Sequence, residues 1–583
     1  MEKRVLFAIS LSFVVLFAYQ MLVPKPAPKP LPRPPVAGAA ATVGQSKTPA
    51  STVPAPGTPG ASATPALETA TAAAASARVA DTAEHDVVVE TPSVHAVFSN
   101  RGALLKSWTL KKYLDDNGKP IDIAPPVTPT AASRPFAISV ADAGTSEALQ
   151  TALYKPSVDS LQIDGTDSKS LTFDYEDANG LAAHKTFVFQ PDGKPYVVTV
   201  AATVTQGGKP QQPVSIHGGA GLGDLERAVR GGGFFHPSNY QQPEAIFQVG
   251  TSVTRVPHTK LAQQPVHEGA FRYIGVDDHY FIGIAYFPTD TPPAARVEYS
   301  SLEVPMLSPA ATASGPRDLV DYRIQVKDGG PVHFFYGPKD FDLLNSTDHE
   351  MVRSINFGIF SFMAVPLLKA LKWINQYIGN YGWSIITLTI AINLVLFPLR
   401  HKSVVSMRRM QEIQPQVKAI QDRYAKLKVT DPARQKMNSD LMALYKEKGV
   451  NPASGCVPTL LTLPVLFAFY SLLSVAIELR GAPFALWIHD LSRYDPYFVT
   501  PILMGATQFW QTRMTPTTGD PAQQRMMMFM PLMFMVFFVW APSGLVIYWF
   551  VSNLWSIGQM YLTNQLIGKP PQRNLRSGRP NAA

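Results

Sequence analysis

Apolar positions change their period along this chain, and the changes divide it. After Glu2, Lys3 and Arg4, residues Val5 to Val23 carry no charge. At about 1.5 Å per residue this run reaches ~28 Å, close to the hydrocarbon thickness of a bilayer. No small-x-small cleavage site precedes Pro24, so residues 1–23 read as an N-terminal membrane anchor rather than a cleaved signal. Residues 24–83 are Pro, Ala, Thr and Ser with few large apolar side chains, as in KPAPKPLPRPP and ATAAAASA. Such a stretch buries too little surface to fold and reads as a linker.

From residue 84 to 345 the apolar period becomes two. Val87-Val88-Val89, Val94 to Phe98, Ser170 to Tyr175, Thr186 to Phe189, Tyr196 to Val204, Tyr280 to Phe287 and Tyr322 to Val326 predict strands. Asn117-Gly118, Asn179-Gly180, Asp192-Gly193 and Asp328-Gly329 predict the turns between them. The segment suits one large antiparallel sandwich. Helical spacing then takes over: Phe357, Phe360, Met363, Leu367, Leu371 and Ile374, with Lys369 and Lys372 at one end, predict an amphipathic helix over 355–374 lying on a membrane surface. Charge-free runs follow at 383–399, 456–477, 496–512 and 526–562, the last broken by Pro542-Ser543-Gly544 into two. With the anchor, this predicts a polytopic α-helical membrane protein of six spans plus a large extracytoplasmic all-β sandwich.

Charge sets the orientation. The chain has a net +8, and segment 400–455 holds twelve Lys and Arg against five Asp and Glu. That segment is expected in the cytoplasm, as are the N-terminus and the basic tail after Thr563, whereas residues 24–399 carry a net −4 and are expected outside. The basic pI therefore belongs to cytoplasmic segments rather than to a fold that binds specific DNA. Within 400–455, Met407, Met410, Ile413, Val417, Ile420, Tyr424 and Leu427 form one apolar stripe; after Asp431-Pro432, Met437, Leu441 and Leu444 form another. The pattern predicts a helical hairpin. Its cations, Arg408, Arg409, Lys418, Arg423, Lys426 and Lys428 among them, form either a solvated face or a docking face for anionic headgroups and ribosomal RNA.

Enzyme motifs are missing from the sequence: there is no G-x-x-x-x-G-K-[ST], H-E-x-x-H, nucleophile elbow or C-x-x-C. A single cysteine, Cys456, leaves no intramolecular disulfide and no cysteine metal cage, so neither metal nor cofactor is expected. The cluster Gly218-Gly219-Ala220-Gly221-Leu222-Gly223 lacks dinucleotide spacing and reads as a loop, and His279, at a strand entry, reads as a structural hydrogen-bonded side chain.

Longer motifs carry a resemblance. Met442-Ala443-Leu444-Tyr445-Lys446, Gly449-Val450-Asn451-Pro452, Ala482-Pro483-Phe484-Ala485-Leu486-Trp487-Ile488-His489-Asp490-Leu491, Asp495-Pro496-Tyr497, Pro501-Ile502-Leu503-Met504-Gly505, Pro516-Thr517-Thr518 and Pro542-Ser543-Gly544-Leu545-Val546-Ile547-Tyr548 look like the bacterial YidC membrane insertase family, and Gly337-Pro338-Lys339 closes the outer domain of its Gram-negative form. The resemblance implies a five-span core around a hydrophilic groove open to cytoplasm and lipid, and an outer domain similar to a sugar mutarotase without that activity. It implies a non-enzymatic insertase and chaperone of the cell inner membrane. Its implied partners are nascent membrane proteins, the ribosome and lipids, with the Sec translocon as a further candidate. Thr389 and Tyr548 match groove positions of the family; Asn393 stands where the family has an arginine, and Thr462 where it has a glutamine, so a polar groove is implied rather than a strongly positive one.

Arg400 lies seven residues after Asn393, within about 20° of two full turns, and helical side chains lean toward the N-terminus. The guanidinium is expected either to point back toward Asn393 or to snorkel outward as a positive-inside anchor. The competing function is a small-molecule or ion transporter, which predicts paired intramembrane charges or inverted repeats; neither is visible in the sequence.

Overall fold

The computed structural model describes residues 78–115, 117–124, 131–164, 167–189, 194–220, 223, 241–304, 317–326, 330–424, 433–449, 457–515 and 521–567. The anchor, the linker up to residue 77, the turns at Asp192-Gly193 and Asp328-Gly329, Lys426, Lys428, Cys456, the tail after 567 and the side chain of Thr462 lie outside the described residues.

The β domain consists of two sheets packed face to face. The larger runs, in spatial order, Ile138–Ser139, Ser215–His217, Arg317–Val326, Ala294–Val304, Val266–Asp277, Phe281–Tyr286, Val332–Pro338, Val197–Gln206, Leu181–Phe189, Lys169–Glu176 and Lys155–Pro156, every neighbour antiparallel. A hairpin of Glu244–Val249 and Ser252–Pro257 pairs alongside Val266–Asp277. The smaller sheet runs Pro120–Asp122, Leu104–Leu114, Val94–Ser99, Asp86–Glu90 and Ser160–Gln162, and its last pair is parallel, which departs from the purely antiparallel expectation.

Strict alternation buries one face of the strands. In Leu181–Phe189, Leu181, Ala183, Lys185, Phe187 and Phe189 all point inward. Phe98 of the smaller sheet meets Phe173, Phe187 and Phe189 of the larger, with ring centroids 6.3, 5.0 and 6.2 Å away. Trp108 adds a polar rivet, donating from Nε1 to the Tyr336 carbonyl at 2.9 Å. Lys185 is fully buried, and its Nζ donates to the carbonyls of Gly102, Ala103 and Phe136 at 2.7, 3.2 and 2.8 Å.

Two short helices attach to the domain: α1 (Ala143–Thr151), capped by Asp142, and α2 (Phe341–Thr347), capped by Asp340. The amphipathic helix begins later than its sequence pattern suggests. Ile355 and Phe357 are buried ahead of a 3-10 turn, and α3 (Ser361–Ile378) ends at Gly379, whose φ of +70° provides the left-handed stop that glycine adopts without strain. Helix α3 buries Ala364, Leu368 and Leu371 and exposes Phe362, Trp373 and Tyr377.

Helix α4 (Tyr381–Glu412) does not stop where the charge-free run ends. It continues through Arg400 to Glu412, 32 residues in all. The remaining helices are α5 (Gln414–Arg423), α6 (Ala433–Glu447), α7 (Val457–Val475), α8 (Val499–Met514), α9 (Pro521–Phe538) and α10 (Ser543–Ile567). Among the described residues, α4 alone is long and apolar enough to cross a membrane; Pro464–Val475 and Met528–Phe538 are shorter apolar stretches. Helix α10 packs along both α4 and α8, while α9 packs on α8 and α7 on α3.

Candidate functional site: a polar seam between two apolar helices

Polar residues recur at helical spacing on the facing sides of α4 and α10. On α4, Thr389 donates its hydroxyl to the Ile385 carbonyl at 2.6 Å, and Asn393 donates from Nδ2 to the Thr389 carbonyl at 2.8 Å. Both side chains are buried. Asn393 Oδ1 accepts from Arg400 Nη1 at 2.7 Å, and the same nitrogen donates to Ser556 Oγ on α10 at 3.2 Å. Ser552 Oγ lies 3.5 Å from Asn393 Nδ2, His401 pairs with Thr563 at 3.2 Å, and Gln559 donates to the Phe397 carbonyl at 3.2 Å. The guanidinium is thus drawn back along the helix rather than outward, and both of these acceptors are neutral oxygens. Among the described residues it forms no ion pair with a carboxylate.

Tyr548 lies on α10 above this seam. It is buried and stacks on Phe469 of α7, centroids 4.3 Å apart at 16°. Thr462 lies on α7 two turns before Phe469. The structure therefore brings Thr389, Asn393 and Arg400 together along α4 and sets Tyr548 against α7.

Sequence reasoning missed a second polar seam on another face of α10. Trp549 Nε1 donates to Gln508 Oε1 at 3.0 Å, and Asn553 Nδ2 reaches the Met504 carbonyl and Thr507 Oγ1 at 3.3 Å each. The signal was available: Gln508 and Asn553 are amides inside charge-free runs.

The basic segment folds on its apolar stripes. Met410, Ile413 and Val417 are buried against Leu441, Leu444 and Tyr445, and the Tyr424 hydroxyl donates to Asp440 Oδ2 at 2.8 Å. Arg409, Lys418 and Arg423 are exposed. Arg408 differs from the expected surface cation: it is 5% exposed, and a buried guanidinium is not presented to a docking phosphate.

In the β domain, His279 has both ring nitrogens engaged. Nδ1 accepts from the Gln241 amide at 3.1 Å, which fixes the proton on Nε2, 2.7 Å from the Ser474 carbonyl on α7. Nearby Asp277 is fully buried between Lys339 Nζ at 2.7 Å and Arg255 Nε at 2.8 Å. Burial alone raises its carboxyl, but the two cations outweigh burial and hold it below the ordinary carboxylate range. Among the described residues no group of three His, Cys, Asp or Glu side chains is placed to hold a metal.

Comparison with known proteins follows this division. Residues 86–370 match the family described as the YidC periplasmic domain, and residues 373–570 match the family described as 60Kd inner membrane protein. A solved structure, described as an active YidC insertase with its first transmembrane domain resolved, aligns over 84% of this chain and 95% of its own at 18% identity, with a TM-score of 0.33. The membrane protein insertase YidC of Geotalea daltonii is 33% identical over 574 residues, 97% of this chain and 99% of that protein. That of Geobacter metallireducens is 33% identical over 585 residues, again 97% and 99%. Identity sustained over nearly the whole of both relatives, with both family matches in the same order along the chain, establishes that the protein belongs to the YidC membrane protein insertase family, with a periplasmic β domain preceding its inner-membrane helices.

Proposed function

We propose that this chain inserts and helps fold nascent proteins of the inner membrane, with the seam between α4 and α10 as the polar wall of a groove open to cytoplasm and lipid. The observation that carries the reading is a guanidinium held among neutral oxygens, Asn393 Oδ1 and Ser556 Oγ, where α4 and α10 meet. A nascent span gains by leaving water for lipid, but each charge on its translocated tail costs about 2.5–3.5 kcal/mol at the bilayer centre on insertion scales. A wet groove reaching part-way across shortens that crossing, and a cation with no carboxylate partner among the described residues attracts acidic tails into it.

In this reading the chain has six spans, with both termini and the α5–α6 hairpin in the cytoplasm. Arg409, Lys418 and Arg423, together with Lys426 and Lys428, receive the ribosome and its emerging chain, while Thr389, Asn393, Thr462, Tyr548 and Arg400 contact the client. The Sec translocon is a further partner in this reading. Reconstitution into liposomes is the test. A single-span client with an acidic translocated tail becomes protease-protected when the purified full chain is present; equal protection in empty liposomes overturns the proposal.

A further inference from the structure

The last turn of helix α7 is held from the β domain. An α-helix leaves its last four carbonyls unpaired within the helix, and Ser474 is the penultimate residue of α7. Its carbonyl receives the Nε2–H of His279, a residue of the β domain 195 positions earlier. The chain leaving α7 is caught at two further points. Arg480 Nη1 donates to the Leu114 carbonyl at 2.7 Å, and its guanidinium lies 5.4 Å from the Phe281 ring centroid, both partners being in the β domain. Lys372 of α3 places Nζ 2.6 Å from Asp342, 3.1 Å from Glu478 and 3.4 Å from Asp340. One ammonium thus joins the interfacial helix, the last segment of the β domain and the turn after α7. Glu478 is 6% exposed and Lys372 21%, so the pair they form is shielded, whereas Asp342, 65% exposed, lies on the solvent side of the cluster.

We propose that the base of the periplasmic β domain is a clamp on the insertase core, with Lys372 as its positioning residue: it fixes the outer end of α7 so that Phe469 stays on Tyr548 at the groove. Phe469 lies five residues before Ser474, about 7.5 Å along the axis, so displacement at the clamped end moves the stacked ring. Helix α7 otherwise packs mainly on α3, which the same lysine holds. The periplasmic domain therefore acts through a contact at its base, whatever its sandwich does.

This inference rests on the insertase reading, and its test separates the two. The full chain in proteoliposomes is compared with Lys372→Glu, with Glu478→Lys and with the double exchange, which restores one cation among three carboxylates. Amide exchange over residues 472–482 and insertion of the acidic-tail client are both measured. The clamp predicts that each single variant exchanges at least tenfold faster over 472–482 and loses most insertion, without a shift in the melting of the β domain, and that the double exchange recovers both. Should Lys372→Glu not accumulate, Lys372→Met carries the same measurement. Faster exchange with full insertion overturns the proposal, as does lost insertion with unchanged exchange. Failure of the unmodified chain to insert overturns the insertase reading instead, and the exchange measurement still reports whether Lys372 holds α7.

Discussion

Arg400 Nη1 lies 2.7 Å from Asn393 Oδ1, two turns back along the same helix. The amide at 393 is therefore an anchor for a cation that enters the span from its far end. A hydrogen bond to a charged group contributes about 1.5–3 kcal/mol, which favours this rotamer over one that snorkels outward.

Replacing that anchor has a defined consequence. Asn393→Leu is expected to lower insertion of clients with acidic tails about tenfold while sparing clients with neutral tails, and Asn393→Arg is expected to be tolerated. Arg400→Ala should act in the same direction, and more strongly alongside Asn393→Leu. Protease protection of pulse-labelled clients in cells depleted of their own insertase makes the measurement. Full insertion by the Asn393→Leu, Arg400→Ala double variant would show that the groove uses neither residue.

The hairpin divides its cations by burial. Changing exposed Arg409, Lys418 and Arg423 to Gln is expected to reduce crosslinking to ribosome-bound nascent chains, with the deficit shrinking as salt rises, and to leave helical content intact. Arg408→Gln should instead loosen the helix, because it changes a buried side chain. Equal crosslinking by the triple variant at every salt concentration removes the docking role.

Asp321 offers a pH test of the β domain. Burial pushes its carboxyl up to about 7. Between about 4, the unfolded value, and 7, the folded state holds a proton that the unfolded state releases, so stability falls as pH rises, by up to about 1.4 kcal/mol per unit. Asp321→Asn removes this slope. The variant's advantage should be absent below pH 4, grow to pH 7 and then level off. His217, pushed down to about 4 chiefly by burial, contributes the opposite slope in both proteins and drops out of the difference. Denaturation of the detergent-solubilised chain followed by β-sheet circular dichroism decides it; parallel curves for the two proteins contradict the assignment.

Trp108→Phe keeps the aromatic bulk but removes the donor to the Tyr336 carbonyl. Leaving that buried acceptor short should cost about 1–3 kcal/mol. The same denaturation experiment at pH 8 reads it, and a loss below about 0.5 kcal/mol would mean the bond between the sheets is dispensable.

What the sequence revealed tracks the distance between interacting residues. Asn393 and Arg400 face each other because helical period is local, and Val87, Val89, Phe187 and Phe189 were legible as strand positions because alternation is local too. Val266–Asp277 was not, since its first half is mostly half-buried or exposed and interrupted by Gly269 while Tyr273 to Asp277 are buried in succession, which erases alternation. Lys185 occupies an inward strand position, but only the folded chain shows the three carbonyls that receive it. The burial of Arg408 was not legible, because it depends on what packs around α4 and not on spacing within the segment. The contact between His279 and Ser474 joins residues 195 apart, and no pattern within either segment announces it.

Helix α4 has a mechanical consequence. Its 32 residues span about 48 Å, so one continuous helix carries Asn393 in the seam and Met410 in the hairpin. Pro398 lies between them and lacks the N–H that would close the rung to the Leu394 carbonyl. The helix is thus jointed there. A bend at that rung changes the angle between the stretch that holds Asn393 and the stretch that carries Met410, with Arg400 two residues past it.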